Sequence, residues 1–253
     1  MKAIILAAGY ATRLYPLTLN FPKPLLEVGG KTILDHLIDQ LKQIPEINHA
    51  YLVTNHRFFS NFQNWEKRRN FLTPRSFGES SHLKINILDD GTLSNDDRLG
   101  AVGDIQFALK TQKIKEDILV LAADNILQFS LKDFVFAYQS HLSPFVCVRV
   151  IKDSKDRKHR GIAQLDESNR IVNFEEKPSN PKSKWGVPPF YIYPSVSLSQ
   201  INTYLNNGGN PDAPGHFLEW LCKQEPVYAY KIEGTILDIG NHDSLEKARI
   251  ALG

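Results

Sequence analysis

Short apolar runs alternate with amphipathic helical patterns through the first half of the chain, and that alternation leaves few architectures open. Ala3 to Ala8, Ala50 to Thr54, Leu83 to Leu88 and Ile118 to Ala122 are each bounded by polar or turn residues, as strands buried on both faces are. Between and after them, Ile33, Leu34, Leu37, Ile38 and Leu41, then Phe58, Phe59, Phe62 and Trp65, then a segment from about Asp104 to Leu109, and Leu131, Phe134, Val135 and Tyr138 fall at helical spacing. Leu25 to Val28 reads as a short strand before the Gly29-Gly30 turn. Strands separated by helices predict a parallel, doubly wound α/β sheet, which receives ligands at the carboxyl ends of its strands. Gly9, Gly91 and Asp124 each follow such a strand.

The second half has another rhythm. Phe145 to Ile151, Ile162 to Leu165 and Arg170 to Phe174, with a turn at Asp166 to Asn169, predict a hairpin-rich region that makes the sheet mixed. A Pro/Gly/Ser-rich loop to Pro189 precedes a strand through Tyr193, helices over Ser195 to Leu205 and His216 to Cys222, a strand over Val227 to Ile232 and a last helix from Ser244, with Asp243 as its cap. No internal repeat, and no hexapeptide period, breaks the pattern.

Charge excludes some roles. A net charge of +2 leaves no broad basic field, so nucleic acid is not expected as a partner. No window approaches the roughly 18 consecutive apolar residues of a membrane span. The first apolar run is too short for a signal peptide. Cys147 and Cys222 sit in apolar runs and read as buried thiols, the expectation for a reducing, cytoplasmic setting.

The loop after the first run carries the chemistry. Gly9 allows close backbone approach; Thr12, Arg13 and Lys23, the last between Pro22 and Pro24, follow within fifteen residues. Backbone donors, a bidentate guanidinium and a movable ammonium are what a triphosphate requires. Asp124 and Asp238 each end an apolar run, and hard oxygen ligands of this kind suit magnesium if the two meet; taken singly, each could cap a turn.

The stretch GYATRLYPLTLNFPKPLLEV from Gly9, with ADN at Ala123 to Asn125, FEEKP at Phe174 to Pro178 and LDIG at Leu237 to Gly240, resembles the sugar-phosphate nucleotidyltransferases, in that family's order and over nearly the whole chain. The resemblance implies a Rossmann-like core, mainly parallel with helices on both faces, in one domain over residues 1–253, of which 1–125 form a nucleotide-binding half and 126–253 a sugar-phosphate-binding half. It implies joining a nucleoside triphosphate to a sugar 1-phosphate with release of pyrophosphate, with Mg2+, in a short form without a β-helical tail. Homo-oligomerisation is compatible with it. Arg13 and Lys23 would be catalytic; Ala8, Gly9, Thr12, Arg13, Gly100 and Gly103 would hold the nucleotide; Gly161, Glu176, Lys177 and Tyr191 the sugar phosphate; Asp124 and Asp238 the metal. Thymidylyltransferases carry a base-reading glutamine before the second glycine loop, where this chain has Asp96-Asp97-Arg98-Leu99. The base therefore stays open, with dTTP or UTP and glucose 1-phosphate the favoured pair.

Other readings compete. A dinucleotide-dependent dehydrogenase needs Gly-x-Gly-x-x-Gly running straight into a helix, which this chain lacks. A CTP-dependent cytidylyltransferase acting on phosphocholine and a non-catalytic subunit that binds a nucleotide sugar remain. The run Lys152 to Arg160 is expected to be a solvated loop, since Asp153 and Asp156 dilute its basic residues. His56 and His242 have no partners at metal-ligand spacing.

Overall fold

The N-terminal apolar run forms β1 (Lys2–Leu6), followed by the hairpin β2 (Glu27–Val28) and β3 (Lys31–Thr32), then α1 (Ile33–Leu41), β4 (His49–Thr54), α2 (His56–Leu72) and β5 (Lys84–Asp89). Next come α3 (Ala101–Thr111), β6 (Ile118–Ala122), β7 (Asn125–Gln128), α4 (Leu131–Tyr138), β8 (Phe145–Val150) and α5 (Ser154–Arg157). The chain ends through β9 (Gly161–Leu165), β10 (Ile171–Glu176), β11 (Trp185–Val187), β12 (Phe190–Tyr193), α6 (Leu198–Asn206), α7 (Pro214–Leu221), β13 (Tyr228–Lys231), β14 (Thr235–Asp238) and α8 (His242–Leu252). This computed structural model describes residues 1–72, 83–139 and 141–253. The fold is α/β and Rossmann-like, as the alternation predicts. The chain divides into two compact units interleaved in sequence: residues 2–98, 122–132 and 235–253, and residues 99–121 and 133–234 with Met1.

In the first unit β4 lies between β1 and β5, all parallel, with Ile5 opposite Leu52 and Val53 opposite Leu88. Ile4, Ile5, Leu52 and Val53 are fully buried, which explains why these strands read as continuous apolar runs rather than alternating ones. Each such side chain stabilises the fold by roughly 1.5–3 kcal/mol. Thr32 caps α1, accepting from the Asp35 amide at 3.0 Å. The Trp65 indole N–H donates to Asp35 at 3.0 Å and ties α2 to that same turn. A separate apolar cluster of Leu14, Leu26, Val28, Ile33, Ile126, Ile239, Leu245 and Ala248 anchors the loop after β1, the strand β7 and the helix α8 on one another.

The second unit holds the mixed part of the sheet, in the order β10-β9-β11-β8-β12-β6, with β13 parallel to β8. Its core is aromatic. Phe217 meets Tyr193 edge-on at 5.5 Å and Tyr204 at 5.4 Å, and Tyr204 lies 5.6 Å from Trp220.

Several local expectations are corrected. Lys23–Leu25 is a 3-10 turn and the predicted strand shrinks to Glu27–Val28, because the Leu25 and Leu26 amides donate back to the Pro22 and Lys23 carbonyls at 3.0 Å. Asn241, not Asp243, caps α8: its side chain accepts from the Ser244 amide while Ser244 Oγ accepts from the Asn241 amide. The strands β7, β11 and β14, of three or four residues each, were too short to show a period. Lys152 to Arg160 is exposed except for half-buried Arg157 and Arg160, with a single helical turn, α5, in its middle. Among the described residues no helix is long and apolar enough to cross a membrane. Cys147 is buried and Cys222 half-buried, both as free thiols; burial raises both, Cys222 to about 12.

Candidate active site

In the first unit the loop after β1 is shaped by its own backbone. Asn55, fully buried, donates to the Ala8 carbonyl at 2.8 Å and fixes the end of the strand. A Cβ at Gly9 would meet nothing within 4 Å, so the backbone there faces open space that a ligand can enter. Ala11 is left-handed at φ 48°, and its carbonyl accepts from Thr18 Oγ1 at 2.8 Å. That turn leads into a 3-10 turn over Thr12–Leu14 in which Leu14 is buried and Thr12 and Arg13 are exposed. The buried leucine therefore aims its two polar neighbours outward.

Lys23 is 9% exposed. Its ammonium donates to Asp124 Oδ2 at 2.6 Å and to the Ile239 carbonyl at 2.8 Å. The Asn125 amide donates to the other Asp124 oxygen at 2.6 Å. Asp124 stands just before β7 and Asp238 ends β14, in an antiparallel ladder that sets Asp238 opposite Asn125 and lets the Ile239 amide reach the Asp124 carbonyl at 3.3 Å. One residue on, a Cβ at Gly240 would lie 3.8 Å from an Arg13 guanidinium nitrogen and 3.9 Å from Asp238 Oδ1. The short ladder thus gathers Arg13, Lys23, Asp124 and Asp238, which sequence alone places up to 225 positions apart.

The two aspartates fit a divalent cation in donor chemistry. Each carboxylate oxygen of Asp124 carries one donor, and an ionised carboxylate offers about four lone-pair sites. Among the described residues no three His, Cys, Asp or Glu side chains form a metal-ligand group, so phosphate oxygens would have to complete the coordination of magnesium, which is that ion's habit.

Around Gly91 the first unit makes a polar turn. Asp89 accepts from the Gly91 amide at 2.9 Å and contacts His56 Nδ1 at 2.6 Å. Asp90 Oδ1 accepts from both the amide and the hydroxyl of Thr92 at 2.7 Å. The Tyr10 phenol next to Thr92 is pushed up by burial. His242 contacts the Tyr15 carbonyl at 2.9 Å, so both histidines have local structural partners.

In the second unit Gly100 starts α3 with φ +77°, and a Cβ there would strike the Pro211 carbonyl oxygen at 2.5 Å. The Val102 amide donates to that carbonyl at 2.9 Å. Backbone packing accounts for Gly100. A Cβ at Gly103 would approach Leu99 at 3.0 Å, and Asp104 lies in the first turn of α3.

Glu176 ends β10 opposite Gly161. Its side chain is 9% exposed and its carboxylate is pushed up by burial, with Lys177 and His216 opposing and Glu219 adding. Lys177 Nζ lies 3.9 Å from Glu176 Oε1, and its φ of 50° turns the chain away. Tyr191 is 3% exposed, stacked on Tyr193 at 6.0 Å, and raised by burial and then by Glu176. Gly161, Glu176 and Tyr191 thus share one neighbourhood, while the exposed Lys177 lies at its edge. Sequence reasoning missed Asn55, Asn125, Gly215 and Glu219. For Asn125 a signal existed, since it closes the ADN stretch at Ala123 to Asn125.

The model of the nucleotidyl transferase family matches residues 2–252. The chain is 27% identical over 243 residues to the bifunctional protein GlmU of Methanocaldococcus jannaschii, covering 95% of this chain and 51% of that protein. It is 30% identical over 247 residues to mannose-1-phosphate guanylyltransferase 1 of Arabidopsis thaliana, covering 95% and 61%. It therefore spans about half to three-fifths of the length of these relatives. A crystal structure of a putative glucose-1-phosphate thymidylyltransferase from Bacillus anthracis superposes with a TM-score of 0.81 at 21% identity, covering 100% of this chain and 95% of that one.

Proposed function

Because the chain belongs to the nucleotidyl transferase family, we propose that it joins a nucleoside triphosphate to a hexose 1-phosphate, forming a nucleotide sugar and pyrophosphate. The observation that carries this reading is the gathering of Arg13, Lys23, Asp124 and Asp238 at one end of the β7/β14 ladder. Two cations and two carboxylates beside an open glycine loop are what transfer between two anions needs, where repulsion and positioning make most of the barrier.

In the reaction a phosphate oxygen of the sugar 1-phosphate forms a bond to the α-phosphorus, and the bond from that phosphorus to the bridging oxygen breaks, its electron pair leaving with pyrophosphate. Arg13, exposed on its turn, takes the β- and γ-phosphates, where charge accumulates. Lys23 holds the α-phosphate or the incoming phosphate, moving from Asp124 by side-chain rotation. Backbone at Ala8 and Gly9, with Thr12, seats the nucleotide. Glu176 accepts hydrogen bonds from sugar hydroxyls, Lys177 pairs with the 1-phosphate, and Gly161 and Tyr191 line that pocket. Asp124 and Asp238 would hold Mg2+, which would supply charge neutralisation at the phosphates.

The favoured pair is dTTP or UTP with glucose 1-phosphate; a guanylyltransferase among the relatives adds GTP with mannose 1-phosphate to the test. Pyrophosphate release is measured with magnesium across nucleoside triphosphates against hexose 1-phosphates and phosphocholine, with Arg13→Ala as control. Release confined to a hexose 1-phosphate, and lost in Arg13→Ala, is the expected outcome. Release with CTP and phosphocholine alone would overturn the substrate class, and silence with tight nucleotide-sugar binding would make the chain a binding subunit.

A further inference from the structure

We propose that Gly215, in the first turn of α7, is a positioning residue for the Glu176 carboxylate and so a determinant of sugar-phosphate binding; this rests on reading Glu176 as the sugar-side carboxylate. A Cβ at Gly161 would stand 2.9 Å from Glu176 Oε2. At Gly215 a Cβ would overlap that same oxygen and lie 2.6 Å from the carboxylate carbon. The carboxylate oxygen therefore occupies the place of a side chain at Gly215 and lies close to Gly161, where a Cβ would first meet the Phe174 ring at 2.5 Å. Neither glycine has a left-handed φ, so each supplies space rather than an unusual conformation.

The same helix holds Glu176 a second way. Glu219 Oε2 accepts from the Glu176 amide at 3.3 Å, and residues four apart share a helix face. Gly215 receives the carboxylate while Glu219 takes the backbone, so α7 fixes both ends of one residue. Burial raises the carboxylate; Lys177 and then His216, next in the helix, oppose that rise, and Glu219 adds to it. The 9% exposure of the Glu176 side chain leaves it little freedom to swing aside.

The test is Gly215→Ala, which improves helix propensity and so favours a folded variant; its thermal melt verifies that. With glucose 1-phosphate and mannose 1-phosphate as probes, the KM for the sugar phosphate should rise about tenfold or more, the scale of losing a hydrogen bond to a charged group. The KM for the triphosphate should stay within about twofold. Shortening the displaced side chain by Glu176→Asp in the Gly215→Ala background should recover part of the loss. In a Glu176→Ala background Gly215→Ala should add no more than about twofold, since the two act as one unit. An unchanged sugar-phosphate KM in Gly215→Ala, an equal rise in both KM values, or a penalty that persists without Glu176 overturns the proposal. If Glu176→Ala alone leaves the sugar-phosphate KM unchanged, the sugar-side reading of Glu176 is itself wrong.

Discussion

The Lys23 ammonium lies 2.6 Å from Asp124 Oδ2 and 2.8 Å from the Ile239 carbonyl, so one buried cation joins the turn over Lys23–Leu25 to both sides of the β7/β14 ladder. Replacing it with methionine removes the charge and both bonds while keeping the stem. Turnover should fall at least about 100-fold, as when a preorganised donor is lost. Stability should fall by about 1–2 kcal/mol, less than for a fully buried pair because Asp124 is 35% exposed. Steady-state pyrophosphate release and urea melts measure the two effects. Full turnover in Lys23→Met would leave the ammonium a purely structural role.

On the proposed reading, Lys23 and a divalent cation would draw on one carboxylate. Manganese, followed by its paramagnetic signal, should bind the free protein weakly and at least about tenfold more tightly once a triphosphate is present, because the phosphates both attract the ammonium and add ligands. Asp124→Asn should remove that gain and, by leaving the buried Lys23 ammonium without its carboxylate, lower stability by about 1–2 kcal/mol as well. Equal manganese binding with and without triphosphate would show that these aspartates serve another purpose.

Ala11 holds φ 48° and ψ 43°, a region that costs most residues about 1 kcal/mol or more. Ala11→Gly should therefore stabilise the protein or leave it unchanged to within about 0.5 kcal/mol, relief of strain being offset by unfolded-state entropy. Ala11→Val should destabilise it by more than about 1 kcal/mol and lower turnover through the Arg13 turn. Chemical denaturation of the pair decides this, and equal stability of the two variants would show that the turn is relaxed.

Burial raises Glu176 above the ordinary glutamate range. A carboxyl raised in the folded state adds stability while protonated and loses it as pH rises through that raised value. Glu176→Gln, which never ionises, should thus be more stable than the parent at neutral pH, with the advantage shrinking as pH falls into and below the usual carboxylate range. Melting temperatures from acid to neutral pH measure it. An advantage that grew toward acid would reverse the sign of the argument.

The placement of the candidate residues was legible in the sequence where it depends on local order. The apolar run of β1 ending at Gly9, and the aspartates after apolar runs, follow from strands buried on both faces. What brings Lys23 to Asp124 was not legible, because β7 and β14 are four residues each and their pairing is nonlocal. Asn241 displaced Asp243 as a cap because the capping box needs Ser244 three residues on. Gly100 reads in sequence as access for a ligand, whereas its neighbour is the Pro211 carbonyl, a contact no spacing encodes.

Phosphorus NMR of the reaction mixture tests directly whether a sugar 1-phosphate forms a bond to the α-phosphorus of a triphosphate. Paired diphosphate resonances of a nucleotide sugar should grow in step with pyrophosphate, and neither should appear in Arg13→Ala. Inorganic phosphate from hydrolysis, or pyrophosphate without a sugar-linked diphosphate, would contradict it.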